Sequence, residues 1–208
     1  MVAVTGLILL GYVVGHMLGN LQIFAGPERI NAYAAFLHSM PVVLWAVRII
    51  LIGAFVIHIL VTIQLAAQNR RARGQKYERQ NHVQSRLATR TMILSGLVVF
   101  AFVAYHLAHF TIRATDRRFH ALPRGEHDVY TMVILGFQHP LVSGFYIVAI
   151  FLLALHLSHG FQSVFQTLGA NSATARTPIT AIGYAFAAII FLGYISIPVA
   201  VLADLLKI

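Results

Sequence analysis

The chain has 208 residues, of which 59% are hydrophobic and only 10% are charged, and its mean hydropathy is +0.78. Soluble domains carry roughly 25% charged residues, so this composition excludes an ordinary soluble protein and indicates a membrane protein. The formal charge of +9 follows membrane topology, because the basic residues fall between apolar segments, and we expect no nucleic acid partner. The absence of cysteine excludes thiolate-bound iron–sulfur clusters and covalent c-type haem.

Five apolar stretches are each long enough for a helix that crosses the hydrocarbon core, which needs about 20 residues. The fold class predicted is all-α, a polytopic membrane protein with one domain over residues 1–208. Pro41, Pro140 and Pro178 are expected at helix starts, where proline is tolerated. The first span lacks a basic n-region and is read as retained. The expected spans cover about 2–24, 42–68, 90–112, 140–168 and 178–204.

A shorter helix is predicted between the first two spans. Ile30, Tyr33, Ala34 and Leu37 recur at helical spacing within a polar setting, which favours an amphipathic helix at the membrane interface. No motif recurs at a fixed period, so we expect no internal repeat.

Basic residues predict the orientation. The segment between spans two and three carries seven of them, which places it in the cytoplasm, with the N-terminus inside and the C-terminus outside. These residues are Arg70, Arg71, Arg73, Lys76, Arg79, Arg86 and Arg90.

Four histidines lie one in each of the first four spans: His16, His58, His106 and His156. Ionisable residues at membrane depth are costly and usually functional. With a rise of 1.5 Å per residue, His16 and His106 lie roughly 9–12 Å from the outer ends of their helices. His58 and His156 lie roughly 15–18 Å from the cytoplasmic ends. The sequence therefore predicts one histidine pair in each half of a single bundle.

Two facing imidazoles can ligate both axial positions of a b-type haem. A zinc site would need three or four ligands at one level, and a proton relay would need intramembrane acids. We therefore expect two stacked haems in a five-helix bundle. His109 and His159 follow His106 and His156 by three residues and compete for the same iron. The other histidines are expected at the surface, with His139 interfacial and three solvated in loops: His82, His120 and His127.

Several motifs resemble those of a known family. They are GHMLGN around His16, FLHSMP at 36–41, VIH at 56–58, AYHLAHF around His106 and GFYIVAIFLLALHLSHGFQSVFQTLG at 144–169. With them, the chain resembles over essentially its whole length the cytochrome b membrane-anchor subunit of succinate:quinone oxidoreductases. The match is to the single-chain, five-helix, dihaem type. The resemblance implies axial pairs His16 with His106 and His58 with His156, and it favours the first histidine of HLSHG.

The resemblance implies electron transfer, in the bacterial cytoplasmic membrane, between an iron–sulfur subunit and a quinone, menaquinone or another. Dicarboxylate chemistry would belong to partner flavoprotein and iron–sulfur subunits, since the chain holds no flavin motif or cluster ligands. Alternatives are the anchor of a quinol:fumarate reductase and a stand-alone transmembrane b-type cytochrome. A haem-free transporter is a further alternative, disfavoured because intramembrane acids and broken helices in repeated halves are not evident.

Charged and titratable residues near the ends of the spans complete the expected site. Arg48 lies in span two towards the outer haem and is expected to pair with a propionate, and Arg86 and Arg90 are weaker candidates at the inner haem. For quinone and proton exchange on the outer side we expect His38, with Glu28 as second choice. His38 departs from the D-S-x-P form that the family motif can take.

Overall fold

The computed structural model describes residues 1–72, 92–125, 127–169 and 172–208. Over these residues the chain forms seven α-helices: α1 Val2–Leu21, α2 Pro27–His38, α3 Pro41–Ala72, α4 Met92–His106, α5 Val129–Phe137, α6 Pro140–Thr167 and α7 Ala173–Leu202. Five of them, α1, α3, α4, α6 and α7, are long and apolar enough to span a membrane. The all-α fold class is confirmed, and so is the presence of five helices that could span a membrane.

Two of the three prolines stand where they were predicted. Pro41 and Pro140 are the first residues of α3 and α6. The prediction for Pro178 was wrong, because α7 begins at Ala173 and runs through Pro178. The Ser172 hydroxyl accepts a hydrogen bond from the Ala175 amide at 3.1 Å, so a polar cap six residues before Pro178 sets the helix start.

Two short helices lie at one end of the bundle, which we call the capped end. The predicted amphipathic helix is present as α2, and it buries Ile30 and Ala34. Its partner α5 was not predicted, because its residues are almost wholly apolar and read as part of a longer neutral stretch. With nine residues, α5 is too short to span a bilayer. The opposite end of the bundle is called the uncapped end.

The long helices pack in pairs. Helix α3 lies along α1, α4 lies along α6, and α6 makes the most extensive contact, with α7. Helix α7 closes on α1, where a Cβ at Gly193 would collide with the sulfur of Met17. The Tyr194 hydroxyl donates to the Val13 carbonyl at 2.8 Å beside this contact. These pairings leave the four histidine-bearing helices α1, α3, α4 and α6 around one another.

The hydrophobic core is concentrated towards the capped end. It joins residues of α2, α4, α5, α6 and α7 with residues of the segments that directly follow α1 and α7. Its members are Ile23, Ile30, Phe102, Val133, Ile134, Phe137, Tyr146, Ala149, Ile150, Ile197, Ala200, Val201 and Leu206.

A buried carboxylate fastens the two short helices together. Asp128 is only 1% exposed and accepts hydrogen bonds from the Asn31 amide at 3.0 Å and from the backbone of Thr131 and Arg124, each at 3.2 Å. Asn31 in turn accepts from the Tyr130 amide at 3.0 Å. Burial raises the pKa of Asp128, but these hydrogen bonds outweigh it and hold the pKa below its ordinary value.

Replacing Asp128 with Ala should destabilise the capped end by about 1–3 kcal/mol at neutral pH, because three donors lose their acceptor. The folded-state pKa is depressed, so the carboxylate stabilises the fold above its unfolded pKa of about 3.9 and loses that effect as the pH falls through the folded value. Thermal unfolding in detergent should therefore show a wild-type advantage at pH 7 that shrinks below about pH 4. An advantage independent of pH would contradict the role given to the charge.

Candidate functional site

The structure brings His16 of α1 and His106 of α4 together near the capped end. Their ring centroids are 5.8 Å apart, in an edge-to-face arrangement. Two imidazoles bound to one metal at about 2 Å on each side have ring centroids roughly 6 Å apart. The pairing predicted from depth is thus present as a direct contact, at a separation that suits a shared axial ligand set.

Aromatic rings surround this capped pair. Tyr12 stacks on His16 with centroids 5.3 Å apart, and Tyr194 lies 6.1 Å from the same ring. Phe102, one turn before His106, is 6.0 Å from it. The pair therefore lies in an apolar shell built from α1, α4 and α7.

Arg48 of α3 was predicted near the outer histidine pair, and it lies towards the capped end of the bundle. Its guanidinium is 5.1 Å from the centre of the Trp45 ring, and it is within electrostatic reach of the Tyr12 hydroxyl. Since Tyr12 stacks on His16, Arg48, about two turns from the start of α3, lies near the capped pair.

Tyr146 of α6 connects His106 with His109. Its hydroxyl is 3.4 Å from Nδ1 of His106 and 3.0 Å from Nδ1 of His109. A phenol has one hydrogen, so it can donate to one ring while it accepts from the other. His109 is 2% exposed and lies in a π-helical turn, Leu107–Thr111, a feature frequent at functional sites. Of the two histidines, His106 is the one that faces His16.

His58 contacts α1 near the uncapped end. Its Nδ1 is 3.1 Å from Oγ1 of Thr5, and a Cβ placed on Gly6 would lie 3.6 Å from its Cε1 atom. The ring is also close to the backbone of Val2. A hydroxyl and a glycine in consecutive positions thus fix this ring against α1.

His156 makes the same kind of contact with α4. Its Nδ1 is 3.1 Å from Oγ of Ser95, and a Cβ on Gly96 would lie 3.5 Å from its Cε1 atom. His156 is also within electrostatic reach of His58 and His159. The structure gives His156 a defined partner on the neighbouring histidine-bearing helix.

The two contacts repeat along the chain with one spacing. Thr5-Gly6 precedes His16 as Ser95-Gly96 precedes His106, and the interval from hydroxyl to histidine is 11 residues in both helices. Eleven residues rise about 16 Å and return to within about 20° of the same helix face. The helices also follow one another in the same order in α1–α2–α3 and α4–α5–α6, a spanning helix, a short helix and a second spanning helix. The expectation that no motif recurs at a fixed period stays a prediction.

The donor set fits axial ligation of haem. The hydroxyls of Thr5, Ser95 and Tyr146 meet Nδ1 of three of the four predicted ligands, which leaves Nε2 of each ring as the nitrogen that could bind a metal. Gly11 and Gly15 precede His16 on α1, and a Cβ on either would meet nothing within 4 Å. Within the described parts of the chain, three or more histidines or acids do not come close enough to hold a bare metal ion. His16 and His106 lie in ring contact, and His156 is within electrostatic reach of His58.

A shallow cavity of about 440 Å³ opens to the surface at the capped end. Three histidines, one arginine and one buried phenylalanine contribute to its wall. Its lining residues are His38, Thr111, Arg113, Phe119, His120, Ala121, Leu122, Gly125 and His127.

Of the two residues predicted for the outer site, His38 lines this cavity. It donates from Nδ1 to the Ala34 carbonyl at 2.8 Å, and its ring is 4.7 Å from that of His127. Glu28 lies in the first turn of α2, exposed beside Gly26, and is not among the lining residues. The structure does not bring Glu28 to His38.

The cavity wall is connected with the capped pair. Phe119 lines the cavity and stacks on His109 with centroids 5.3 Å apart; His109 shares the Tyr146 hydroxyl with His106. Asp116 and Arg118 hold the segment between α4 and α5 in place. Arg118 pairs with Asp116 at 2.6 Å and donates to the Leu135 carbonyl at 2.9 Å. The hydrogen bonds from Arg118 lower the pKa of Asp116.

Several contributors were missed by sequence reasoning. His120 and His127 are exposed as expected, yet both line the cavity. Thr5, Ser95 and Tyr146 carry no distinguishing motif of their own, and only the equal spacing to His16 and His106 could have pointed to the first two. His82, Arg86 and Arg90 lie outside the described residues, as does the basic segment from residue 73 onward.

The chain was also compared with known proteins. No protein-family model, no curated protein and no solved structure gave a match.

Proposed function

We propose that the chain is a dihaem cytochrome b membrane anchor of the succinate dehydrogenase type, which passes electrons between an iron–sulfur subunit and membrane quinone. One observation carries this proposal. Four histidines on four spanning helices form two levels. On both α1 and α4, a hydroxyl that contacts a histidine of one level lies 11 positions before the histidine of the other level. Paired imidazoles about 16 Å apart along the helix axes are suited to two one-electron carriers in series.

In this proposal, haem bound at each level supplies reversible one-electron transfer between ferric and ferrous iron. The chain's own residues hold and orient it: His16 with His106 at the capped level and His58 with His156 at the uncapped level. Arg48 is assigned to a propionate of the capped-level haem, because a half-buried cation near the apolar shell needs an anion.

The partners follow from chemistry that this chain lacks. Its sequence has no cysteine for iron–sulfur ligation, so dicarboxylate chemistry is assigned to a flavoprotein and an iron–sulfur subunit. We place the chain in a bacterial cytoplasmic membrane with its N-terminus in the cytoplasm, so that those subunits approach the uncapped end and electrons enter at His58 and His156. The capped end then faces outside.

The first test of this function is haem content. We expect two non-covalent b haems per chain, because each level supplies both axial ligands. A pyridine-haemochrome assay referred to the quantity of protein measures this ratio in the purified complex. A ratio of one would remove one of the two levels, and a ratio of zero would refute the cytochrome assignment.

The second test is selective loss. His58→Leu and His156→Leu should each remove one spectral component, and His16→Leu and His106→Leu the other, since a single imidazole leaves the iron one ligand short. Haem content should fall from two to one per chain in every case. His159→Leu is the matched control and should retain both components; loss of the uncapped-level component in that variant would transfer the ligand role to His159.

We assign quinone exchange, with menaquinone as the first choice, to the cavity at the capped end. Quinone reduction consumes protons as well as electrons, so its site needs titratable groups that water can reach. Exposed rings of His38, His120 and His127 line the cavity. The contacts from Phe119 through His109 and Tyr146 to His106 link it to the capped pair.

The third test is His38→Ala in the assembled complex. Succinate-to-quinone turnover should fall at least tenfold, in line with the usual loss on removing a general acid or base, whereas succinate-to-dye turnover and both haems persist. His139→Ala is the control, because His139 is exposed at the same end but does not line the cavity. Unchanged quinone turnover in His38→Ala would exclude His38 from the site.

A further inference from the structure

His58 and His156, the histidines of the uncapped level, make the same kind of contact with a neighbouring helix. Each ring lies against a hydroxyl–glycine step on the neighbouring helix, Thr5-Gly6 for His58 and Ser95-Gly96 for His156. The hydroxyl-to-Nδ1 distance is 3.1 Å in both, and the glycine positions lie 3.6 and 3.5 Å from the ring carbon Cε1. One geometry is thus built twice from different residues.

The direction of the two hydrogen bonds follows from the other contacts of the hydroxyls. Thr5 Oγ1 lies 3.1 and 3.2 Å from the carbonyls of Val2 and Met1, and Ser95 Oγ lies 3.0 Å from the Met92 carbonyl. A hydroxyl has a single hydrogen, which these carbonyls take because they can only accept. The hydroxyl oxygen is then the acceptor, and the imidazole donates from Nδ1–H.

A neutral imidazole that carries its proton on Nδ1 has an unprotonated Nε2. That nitrogen is the one left to bind a metal, so each hydroxyl selects the ligating tautomer as well as the rotation of the ring. The adjacent glycine contributes by leaving the ring edge in contact with the helix surface.

We propose that Thr5 and Ser95 are positioning residues for the uncapped-level axial pair, each fixing the Nδ1–H tautomer and the plane of one histidine. This inference rests on the proposed function and adds two residues to it. The capped level is built differently, since there His106 meets a phenol that it shares with His109. The two levels should therefore respond separately to loss of the aliphatic hydroxyls.

The experiment compares Thr5→Val and Ser95→Ala, singly and combined, with the wild-type complex. Redox titration and low-temperature electron paramagnetic resonance resolve the two haem components. We expect the uncapped-level component alone to shift to higher midpoint potential with altered g values, because an imidazole without an acceptor for Nδ1–H donates less electron density to ferric iron. A tenfold loss of preference for ferric iron corresponds to about 59 mV.

Two further variants separate positioning from folding. Thr5→Ser and Ser95→Thr keep a hydroxyl and should restore the wild-type potential and g values. Ser196→Ala is the matched control, because the Ser196 hydroxyl bonds the Gly193 carbonyl of its own helix at 2.7 Å; it should leave both components unchanged.

The outcomes distinguish the inference from the function beneath it. A wild-type chain without haem would refute the proposed function. Two haems per chain, with neither component altered in the combined Thr5→Val and Ser95→Ala variant, would refute the positioning role and leave the function standing. Equal shifts of both components would also overturn it, since that result marks a general change in the bundle.

Discussion

A neutral imidazole at membrane depth must find its hydrogen-bond partner within the protein, because the hydrocarbon region offers neither donors nor acceptors. Three of the four predicted ligands meet this requirement through a hydroxyl on another helix. Thr5 of α1 serves His58 of α3, Ser95 of α4 serves His156 of α6, and Tyr146 of α6 serves His106. The same contacts join α1 to α3 and α4 to α6, two of the pairs in which the long helices pack. The chemistry of the histidines and the pairing of the helices are therefore one constraint.

The two helix pairs are joined differently at membrane depth and at the interface. At depth, the rings of His16 and His106 meet directly across α1 and α4. At the capped end, a buried carboxylate and an amide join them instead, since Asp128 and Asn31 connect α5 to α2. The charge of Asp128 is tolerated there because donors from the backbone and from Asn31 surround the carboxylate.

Much of the fold could be predicted from the sequence because long apolar segments have few alternatives in a bilayer. The five spans and α2 follow from composition and periodicity, and the pairing of His16 with His106 follows from the fixed rise of a helix. The start of α7 was misplaced because proline is also tolerated inside spanning helices, where Pro178 and Pro198 both lie. Helix α5 was missed because nine apolar residues next to a span read as part of it.

The candidate site was less predictable, because its supporting groups are ordinary residues in sequence. A threonine or serine before a glycine is common, and its meaning arises only when another helix brings an imidazole to 3.1 Å. The cavity depends likewise on three segments, since His38, His120 and His127 come from separate parts of the chain. Depth arithmetic assigns a level to each residue, but it does not specify which side chains of other helices meet it there.

The two histidine levels use the same ring atoms in different surroundings, and this difference bears on where protons can move with the electrons. The uncapped pair rests on aliphatic hydroxyls whose hydrogens are committed to helix carbonyls. The capped pair rests on a phenol shared with a buried histidine, which packs on Phe119 at the cavity wall. The Tyr146 phenol can donate to one imidazole while it accepts from the other, so the direction of its hydrogen bonds can adjust to a change of charge at the capped level. Under the proposed function, the level able to make this adjustment is the one beside the histidine-lined cavity, where electron transfer to quinone must be matched by protons.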